Sequence, residues 1–248
     1  MKSFYLTDTG KVRSHNEDSV IILKNSSNEY LMVVADGMGG HRAGEVASSM
    51  VVTHLGKRFN EISSIGDKVD AINWLKDNID EINNNIIEHT KTHPESVGMG
   101  TTVVLALLTS DYLIYGNIGD SSGYAIKDNK LHKVTKDHTL AHLLVEAGDL
   151  TEEEARFYPK KNVLTKALGS EAKVELDLVD VDMGAEGILL CSDGLTNMLT
   201  DDQIEKVITD PELEIEEKVI KLIRKCNARG GTDNISIAYL VRESGDIK

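Results

Sequence analysis

Five aspartates in this sequence stand beside apolar runs that are typical of buried strands. They are Asp18, Asp36, Asp120, Asp193 and Asp233. Asp36 directly follows the apolar run 31–35, and Asp193 follows the run 188–191 after one serine. One aspartate at a strand end is an ordinary turn residue, but a buried carboxylate costs free energy unless it is paired or binds a cation. Because the ends of neighbouring strands can converge, we predict that the five carboxylates lie close together.

Converging carboxylates indicate a site for divalent cations. Repulsion among like charges would raise the pKa of each carboxyl group, and bound cations would remove that cost. The surroundings offer oxygen ligands and neither a cysteine pair nor a histidine set, which favours Mg²⁺ or Mn²⁺ over zinc or copper. Gly37 has no side chain to crowd a metal, so its backbone carbonyl could be a further ligand. Sites with two metals and carboxylate ligands most often hydrolyse phosphate esters, because the cations activate water and neutralise the phosphoryl oxygens.

A phosphate substrate also needs a cationic group, and Arg13 is the candidate. It lies in a polar loop, residues 9–18, that ends at Asp18. Its planar guanidinium group suits two phosphate oxygens at once. The alternative is an arginine exposed to solvent, which is the commonest environment of this residue type.

The residues around Asp36 admit two other interpretations. Asp36-Gly37 could form a hairpin turn, and the glycine-rich stretch 37–40 could form a phosphate-binding loop. A P-loop requires lysine followed by serine or threonine, whereas Gly44 is followed by glutamate and valine. A hairpin requires a second strand, whereas apolar residues recur at helical spacing over 43–59. The favoured order is therefore strand, acidic residue, glycine-rich loop and helix.

The composition limits the function classes. The chain has 248 residues, with 27 Lys and Arg against 41 Asp and Glu and a net charge of −14. This charge disfavours binding to nucleic acid or to an anionic membrane. Cys191 and Cys226 are predicted to be buried free thiols, which fits a reducing compartment. We find no signal-peptide core and no apolar run of membrane-spanning length, so a cytoplasmic protein is expected.

Hydrophobic patterning predicts an α+β fold. Strands are predicted at 4–7, 19–23, 30–35, 102–108, 112–118, 122–127, 130–134, 173–181, 187–191 and 235–241. Helices are predicted at 43–59 and 67–92 from their apolar periodicity. The short turns between the four strands from 102 to 134 predict an antiparallel meander. Strand runs interleaved with paired helices indicate two stacked, mainly antiparallel sheets with helices outside.

Local signals predict three further helix starts. The segments 151–154 and 200–203 have the pattern of capping boxes. Asp210-Pro211 has the pattern of an N-cap followed by a first-turn proline, which predicts a helix through Cys226. No internal repeat or proline-rich linker divides the chain, so a single domain over 1–248 is expected.

Seven segments of the chain, in order, resemble the metal-dependent Ser/Thr protein phosphatases of type 2C (the PPM family) in their compact bacterial form. The segments are 10–18 (GKVRSHNED), 34–41 (VADGMGGH), 98–102 (GMGTT), 118–121 (IGDS), 162–169 (NVLTKALG), 191–195 (CSDGL) and 231–234 (GTDN). Any one of them is a weak signal. Together they run in family order over nearly the whole chain, which makes the set highly specific.

The resemblance implies a four-layer αββα sandwich with metal ions in a cleft between the sheets. It implies two Mn²⁺ or Mg²⁺ ions per chain, bridged by Asp36. The Gly37 carbonyl, Asp193 and Asp233 are the further ligands that it implies, with Asp18 nearby. Water or hydroxide activated at this two-metal centre would hydrolyse phosphoserine and phosphothreonine on proteins.

The resemblance also implies roles outside the two-metal core. Arg13 corresponds to the family's phosphate-binding arginine, so the expected catalytic residues are Arg13, Asp36 and Asp193. Asp120 and Asp193 correspond to the acids that hold a third, weakly bound metal in bacterial members, and 137–161 to a mobile flap beside the cleft. The expected partners are phosphorylated proteins, including a Ser/Thr kinase that the enzyme would oppose in signalling, and the expected state is a monomer.

Two residues depart from the family pattern, and two other functions stay open. Ser122 stands where many members have arginine, and Met38 stands where some have a histidine that protonates the leaving group. The other functions are hydrolysis of small phosphate esters and a catalytically inactive, metal-free binding module. The intact Asp36, Asp193 and Asp233 argue against the inactive module, because loss of a ligand would be its expected mark.

Overall fold

The computed structural model describes residues 1–40 and 43–242. His41, the last residue of segment 34–41, lies outside them. The strands are β1 (Lys2–Asp8), β2 (Asp18–Lys24), β3 (Tyr30–Met38), β4 (Gly100–Thr101), β5 (Val103–Leu108), β6 (Leu113–Ile118), β7 (Ser122–Lys127), β8 (Lys130–Lys133), β9 (Asp177–Val181), β10 (Gly187–Cys191) and β11 (Ile235–Val241). The helices are α1 (Ala43–Asn60), α2 (Lys68–Thr92), α3 (Leu140–Glu146), α4 (Glu152–Phe157), α5 (Asp193–Thr196), α6 (Asp201–Ile208) and α7 (Ile215–Ala228), with a 3₁₀ turn at Pro94–Ser96.

The strands form two antiparallel sheets. One sheet has the order β1-β11-β10-β7-β8, and the other has the order β2-β3-β5-β6-β9, with β4 added beside β3. Every pairing among these strands is antiparallel. The predicted α+β class and the two stacked sheets with helices outside are confirmed.

Three apolar clusters hold the layers together. One joins the sheet of β3 to α1 and α2, and a second joins the sheet of β10 to α6 and α7. The third, which includes Met32, Val34 and Leu190, lies between the two sheets. Leu31 and Val33 of β3 belong to the helix-side cluster, so successive residues of this strand face opposite layers. Burial on both faces explains why the run 31–35 is continuously apolar.

The same alternation orients the acidic residues. Met32 and Val34 lie in the cluster between the sheets, and Asp36 continues their face of β3. Val20 of β2 lies in that cluster as well, and Asp18 is two residues before it on the same face. Asp18 and Asp36 are direct partners in the register of β2 and β3. The two carboxylates therefore enter the space between the sheets from adjacent strands.

Three predicted features are wrong. The meander over 102–134 does not form, because β6 and β7 lie in different sheets and the turn 119–121 crosses between them. Both strands are buried on both faces, so a short connecting turn cannot distinguish a hairpin from a crossing. Strand β9 is shorter than the predicted 173–181. The helix predicted from Asp210-Pro211 begins only at Ile215, because Glu214 and Glu217 form the capping box.

Strand β3 is longer than expected. It continues through Asp36 to Met38, where Gly37 and Met38 pair with β4. Asp36 is therefore held inside a ladder on this strand, and a loop does not begin at its position. The Asp-Gly hairpin is excluded for the same reason.

Several other expectations are confirmed. The helices over 43–59 and 67–92 form as α1 and α2, and the capping boxes of α4 and α6 are present. Cys191 and Cys226 are buried and free. None of the helices in residues 1–40 and 43–242 combines the length and apolarity that a membrane span requires.

Candidate active site

A cavity of about 530 Å³ opens where the two sheets meet, and acidic residues line it. Its lining includes Arg13, Glu17, Asp36, Gly37, Met38, Asp120, Asp193, Asp233 and Asn234. Each acidic residue comes from a different element. Asp193 is the first residue of α5, Asp233 precedes β11, and Asp120 lies in the turn that crosses between the sheets. Asp18 lies deeper, at 8% exposure, next to this cavity.

The five carboxylates influence one another strongly. Burial raises the pKa of Asp36 well above its usual value, and the charges of Asp18, Asp193, Asp120 and Asp233 raise it further. This mutual influence shows that the structure brings the predicted set together. It also shows that the cluster is unfavourable as a set of bare charges.

Asp18, Asp193 and Asp120 also have raised pKa values, and burial is the largest cause in each. Burial raises the pKa of Asp18 to about 7, against the opposing effect of the hydrogen bond from Ser192. Burial and the charge of Asp233 raise the pKa of Asp193 to about 6. Burial, with the charges of Asp193 and Asp137, raises the pKa of Asp120 to about 8.

Several buried oxygens of the cluster lack partners. Asp18 Oδ2 accepts a hydrogen bond from Ser192 Oγ at 2.7 Å, but Asp18 Oδ1 has no partner among the described residues. Asp193 Oδ1 is also buried without one, although Asp193 Oδ2 accepts from Asn197 at 2.8 Å. A buried carboxylate oxygen without a donor is costly, and a divalent cation is the group that would satisfy it. The residues present therefore fit such an ion.

The side chains are not already arranged as a ligand set. Within residues 1–40 and 43–242, no group of three or more His, Cys, Asp or Glu side chains stands in a metal-holding arrangement. One reason is visible at Asp233, whose Oδ2 accepts a hydrogen bond from Arg13 Nη2 at 2.8 Å. Asp233, the candidate metal ligand, and Arg13, the candidate phosphate-binding residue, therefore form an ion pair with each other.

The loop of Arg13 is fixed to the loop of Asp233 by backbone and amide contacts. The Lys11 N–H donates to Gly231 O at 2.8 Å. The Asn234 side chain donates to Thr9 O and His15 O, each at 2.9 Å, and accepts from the Glu17 N–H at 2.9 Å. Asn234 therefore holds both ends of the arginine loop against the cleft.

Glu17 and Asn234 were missed as site residues. Glu17 lines the cavity with a buried, unpartnered Oε1, and burial raises the pKa of its carboxyl group despite the opposing charge of Arg13. Its position next to Asp18 was the available signal. The available signal for Asn234 was its place in the segment 231–234 (GTDN), but its contacts lie more than 200 residues away in the chain and no local pattern indicates them.

Gly37 is required by close packing. A Cβ atom there would lie 2.1 Å from Gly44 O and 2.5 Å from Glu17 O. A Cβ atom at Gly44 would in turn lie 2.7 Å from the Gly37 carbonyl carbon. The end of β3 and the start of α1 are thus in direct backbone contact, which fixes the helix beside Asp36.

Met38 and Ser122, the two residues that depart from the family pattern, each contact nearby groups in the structure. Met38 lines the cavity and packs against Gly100, so that a Cβ atom at Gly100 would lie 2.9 Å from Met38 Cε. Ser122 is fully buried at the start of β7, and its Oγ has no hydrogen-bond partner among the described residues. A solvent-facing guanidinium group could not occupy this position without displacing its surroundings.

The comparisons with known proteins agree with this arrangement. The model of the family described as Protein phosphatase 2C matches residues 10–231. The serine/threonine phosphatase stp of Listeria welshimeri is 39% identical over 243 residues, which cover 98% of this chain and 96% of the relative. Protein phosphatase PhpP of Streptococcus pneumoniae is 35% identical over 250 residues, or 99% of each chain. The crystal structure of serine/threonine phosphatase Stp1 from Staphylococcus aureus has a TM-score of 0.92 and 36% identity, covering 98% of this chain and 95% of that one.

Two stacked antiparallel sheets with helices outside define the class of fold that this chain shares with the Staphylococcus aureus phosphatase. The chain belongs to the protein phosphatase 2C family. The predicted enzyme class, a protein serine/threonine phosphatase, is confirmed at that level.

Proposed function

We propose that this protein hydrolyses phosphoserine and phosphothreonine on proteins with the help of two divalent cations held in the acidic cleft. The observation that carries the proposal is the set of buried carboxylates whose charges the described residues do not compensate. In this proposal Asp36, the Gly37 carbonyl, Asp193 and Asp233 hold two Mn²⁺ or Mg²⁺ ions, with Asp18 beside them. The cations, when bound, lower the pKa of water and neutralise the phosphoryl oxygens.

The chain's own residues then orient the substrate. Arg13 reaches the cleft from a loop that Asn234 fixes, and its guanidinium group can bind two oxygens of a phosphate group. At present it donates to Asp233. We infer that Asp233 loses its contact with Arg13 when it binds a cation. Arg13 is then available for the substrate phosphate.

Asp120 is proposed to hold a third, weakly bound cation together with Asp193. Both side chains line the cleft, and the charge of Asp193 raises the pKa of Asp120. An ion with so few protein ligands would keep several waters and bind weakly. The leaving-group proton does not come from Met38, because a thioether carries no titratable proton.

The substrates proposed are folded or flexible proteins that carry phosphoserine or phosphothreonine, and a Ser/Thr kinase must supply them. Action as a monomer is part of this proposal. We treat 1–248 as one catalytic domain in which 137–161 forms a flap beside the cleft.

The test is phosphate release from a phosphothreonine peptide with Mn²⁺, with and without EDTA. Release that requires Mn²⁺ and stops with EDTA is the expected result, and activity that survives dialysis against EDTA would contradict the two-metal proposal. Small phosphate esters are assayed in parallel, because preference for them over the peptide would point to a small-molecule phosphatase. No release from any substrate, with the fold intact, would point to the binding module.

A further inference from the structure

The segment between residues 139 and 164 leaves the body of the molecule and returns to it at one place. Thr139 and Leu164 form an antiparallel bridge, and the Thr165 N–H donates to His138 O at 2.8 Å. The segment carries α3 and α4. Its two stems, residues 138–139 and 164–166, therefore lie side by side.

This segment borders the acidic cleft. Asn162 and Lys166 line the cleft itself. Helices α3 and α4 line a second cavity of about 560 Å³, which shares Asp120 and Asp193 with the first. The position of the stems therefore affects the shape of both cavities.

One carboxylate contacts both stems. Asp177 Oδ2 accepts a hydrogen bond from His138 Nε2 at 2.9 Å, and Asp177 Oδ1 accepts from Lys166 Nζ at 2.9 Å. Asp177 is the first residue of β9 and lies opposite Asn117 of β6, so the sheet holds it in place. Burial opposes its ionisation, yet the hydrogen bonds from Lys166 and His138 hold its pKa below the usual value.

The other nitrogen of His138 reaches the turn before Asp120. His138 Nδ1 accepts from the Gly119 N–H at 3.0 Å, and the His138 N–H donates to Gly119 O at 2.9 Å. Because Nδ1 accepts, the neutral ring carries its hydrogen on Nε2 and donates it to Asp177. Gly119 has φ +104°, and a Cβ atom there would lie 2.5 Å from Thr102 Cγ2. The imidazole ring thus connects a sheet carboxylate to the backbone that presents Asp120.

We propose that Asp177, His138 and Lys166 form a clasp that positions the Asp120 turn and the stems of segment 139–164, and that turnover depends on this clasp. Asp177 and His138 are positioning residues, since they act through Gly119 and the stems. The proposal rests on the proposed function for its catalytic consequence. A clasp that only stabilised the fold would change the melting temperature and leave turnover unchanged.

Two substitutions of His138 separate the contacts. His138→Asn retains an acceptor oxygen near the position of Nδ1, so it can still accept the hydrogen bond from the Gly119 N–H. The asparagine side chain is too short to reach Asp177. His138→Gln can reach Asp177 with its amide and lacks the acceptor for Gly119. Asp177→Asn removes the charge at nearly constant shape. Asp182→Asn is the control, because Asp182 also accepts from a lysine, Lys127, but lies on the exposed surface.

The measurements are kcat and KM for a phosphothreonine peptide at saturating Mn²⁺, the melting temperature, and amide hydrogen exchange with and without Mn²⁺. We expect His138→Gln to lower kcat about tenfold, with KM within about twofold, because a displaced catalytic group slows chemistry more than binding. His138→Asn should recover most of that loss. Exchange at the Gly119 amide should be faster in the Gln variant than in the Asn variant, and exchange across 139–165 faster in Asp177→Asn than in Asp182→Asn.

Equal kcat in wild type, both His138 variants and Asp177→Asn would overturn the clasp, whatever happens to the melting temperature. Unchanged exchange at Gly119 in His138→Gln would overturn it independently of any activity. A wild-type protein that releases no phosphate would instead overturn the proposed function, and the exchange data would still decide whether the clasp holds the turn and the stems.

Discussion

The pKa of Asp36 in the acidic cleft and the pKa of Asp177 in the clasp are shifted in opposite directions. In the cleft, burial and neighbouring acids raise the pKa of Asp36, and one arginine, Arg13, contacts the rim at Asp233. At the clasp, a lysine and a histidine lower the pKa of the half-buried Asp177. This difference favours the cleft over Asp177 as the place where an added cation would bind. Asp177 is compensated by Lys166 and His138, whereas the carboxylates of the cleft are neutralised only when they bind protons or an added cation.

The largest expected effect comes from removing charge in the cleft. Asp193→Asn and Asp233→Asn should each lower kcat at least about a hundredfold with Mn²⁺ present, because each removes a charged ligand and little packing. Circular dichroism should show an unchanged fold. Asp182→Asn, on an exposed acid paired with Lys127, is the control and should retain activity. Near wild-type kcat in either cleft variant would show that its ligand assignment is wrong.

A smaller effect is expected from Arg13, a cationic residue that lines the cleft. Arg13→Ala should reduce kcat/KM for a phosphothreonine peptide, mainly through a higher KM, because a charge-assisted contact to phosphate is lost. The corresponding rise in activation free energy should be about 2–3 kcal/mol. Arg58→Ala is the control, since Arg58 is an exposed arginine that binds Glu81. An unchanged KM would remove Arg13 from substrate binding.

Asp120 tests whether the cleft extends to a third ion. Asp120→Ala should retain two bound metals, lower kcat by about tenfold and change the dependence of rate on metal concentration. Metal stoichiometry and kcat are measured on the same sample. Asp111→Ala changes another turn aspartate, between β5 and β6, and should have no effect on kcat. Full activity of Asp120→Ala at every Mn²⁺ concentration would leave Asp120 as a turn residue.

The smallest effect concerns stability without metal. The pKa values of Asp193, Asp18 and Asp120 in the fold are about 6, 7 and 8, against an ordinary value of 3.8. Between pH 4 and 8 the folded state therefore binds more protons than the unfolded state, so the free energy of unfolding falls as pH rises. In EDTA, the melting temperature should fall by several degrees from pH 5.5 to 8.

Mn²⁺ should reverse this trend, because protons compete with the metal for carboxylates at low pH. Asp18→Asn has one titrating group fewer and should show a smaller fall in EDTA. A melting temperature in EDTA that rises steadily to pH 8 would mean that the cleft carboxylates are compensated after all.

The sequence predicted most of the fold because the signals that matter are local. The apolar run 31–35, the period of α2 and the capping box at Thr151 each lie within one element, and each formed as expected. The helix at Asp210-Pro211 failed because a second capping signal, at Glu214 and Glu217, lay a few residues away. Two acceptable local signals compete, and the structure uses the one at Glu214.

For the site as well, features next to a single strand could be predicted, whereas contacts between distant segments could not. The five aspartates could be predicted to converge because each adjoins a buried strand. The crossing of the turn at Asp120 from one sheet to the other could not, since it depends on which sheet each strand joins. The contact of His138 with Asp177 and Gly119 joins three distant stretches of chain, and no spacing in the sequence indicates it.

The pairing of β1 with β11 has a consequence for the timing of synthesis. Lys2 lies opposite Val241 and Asp8 opposite Ile235, so β1 is synthesised long before the strand with which it pairs. The loop of Arg13 is also synthesised long before its backbone hydrogen-bond partner, Gly231. A nascent chain therefore carries Asp18 and Asp36 long before Arg13 and Asp233 can meet. Until β11 is added, the edge of β10 stays open to incorrect pairing, and we expect chaperones to contact this interval of elongation most.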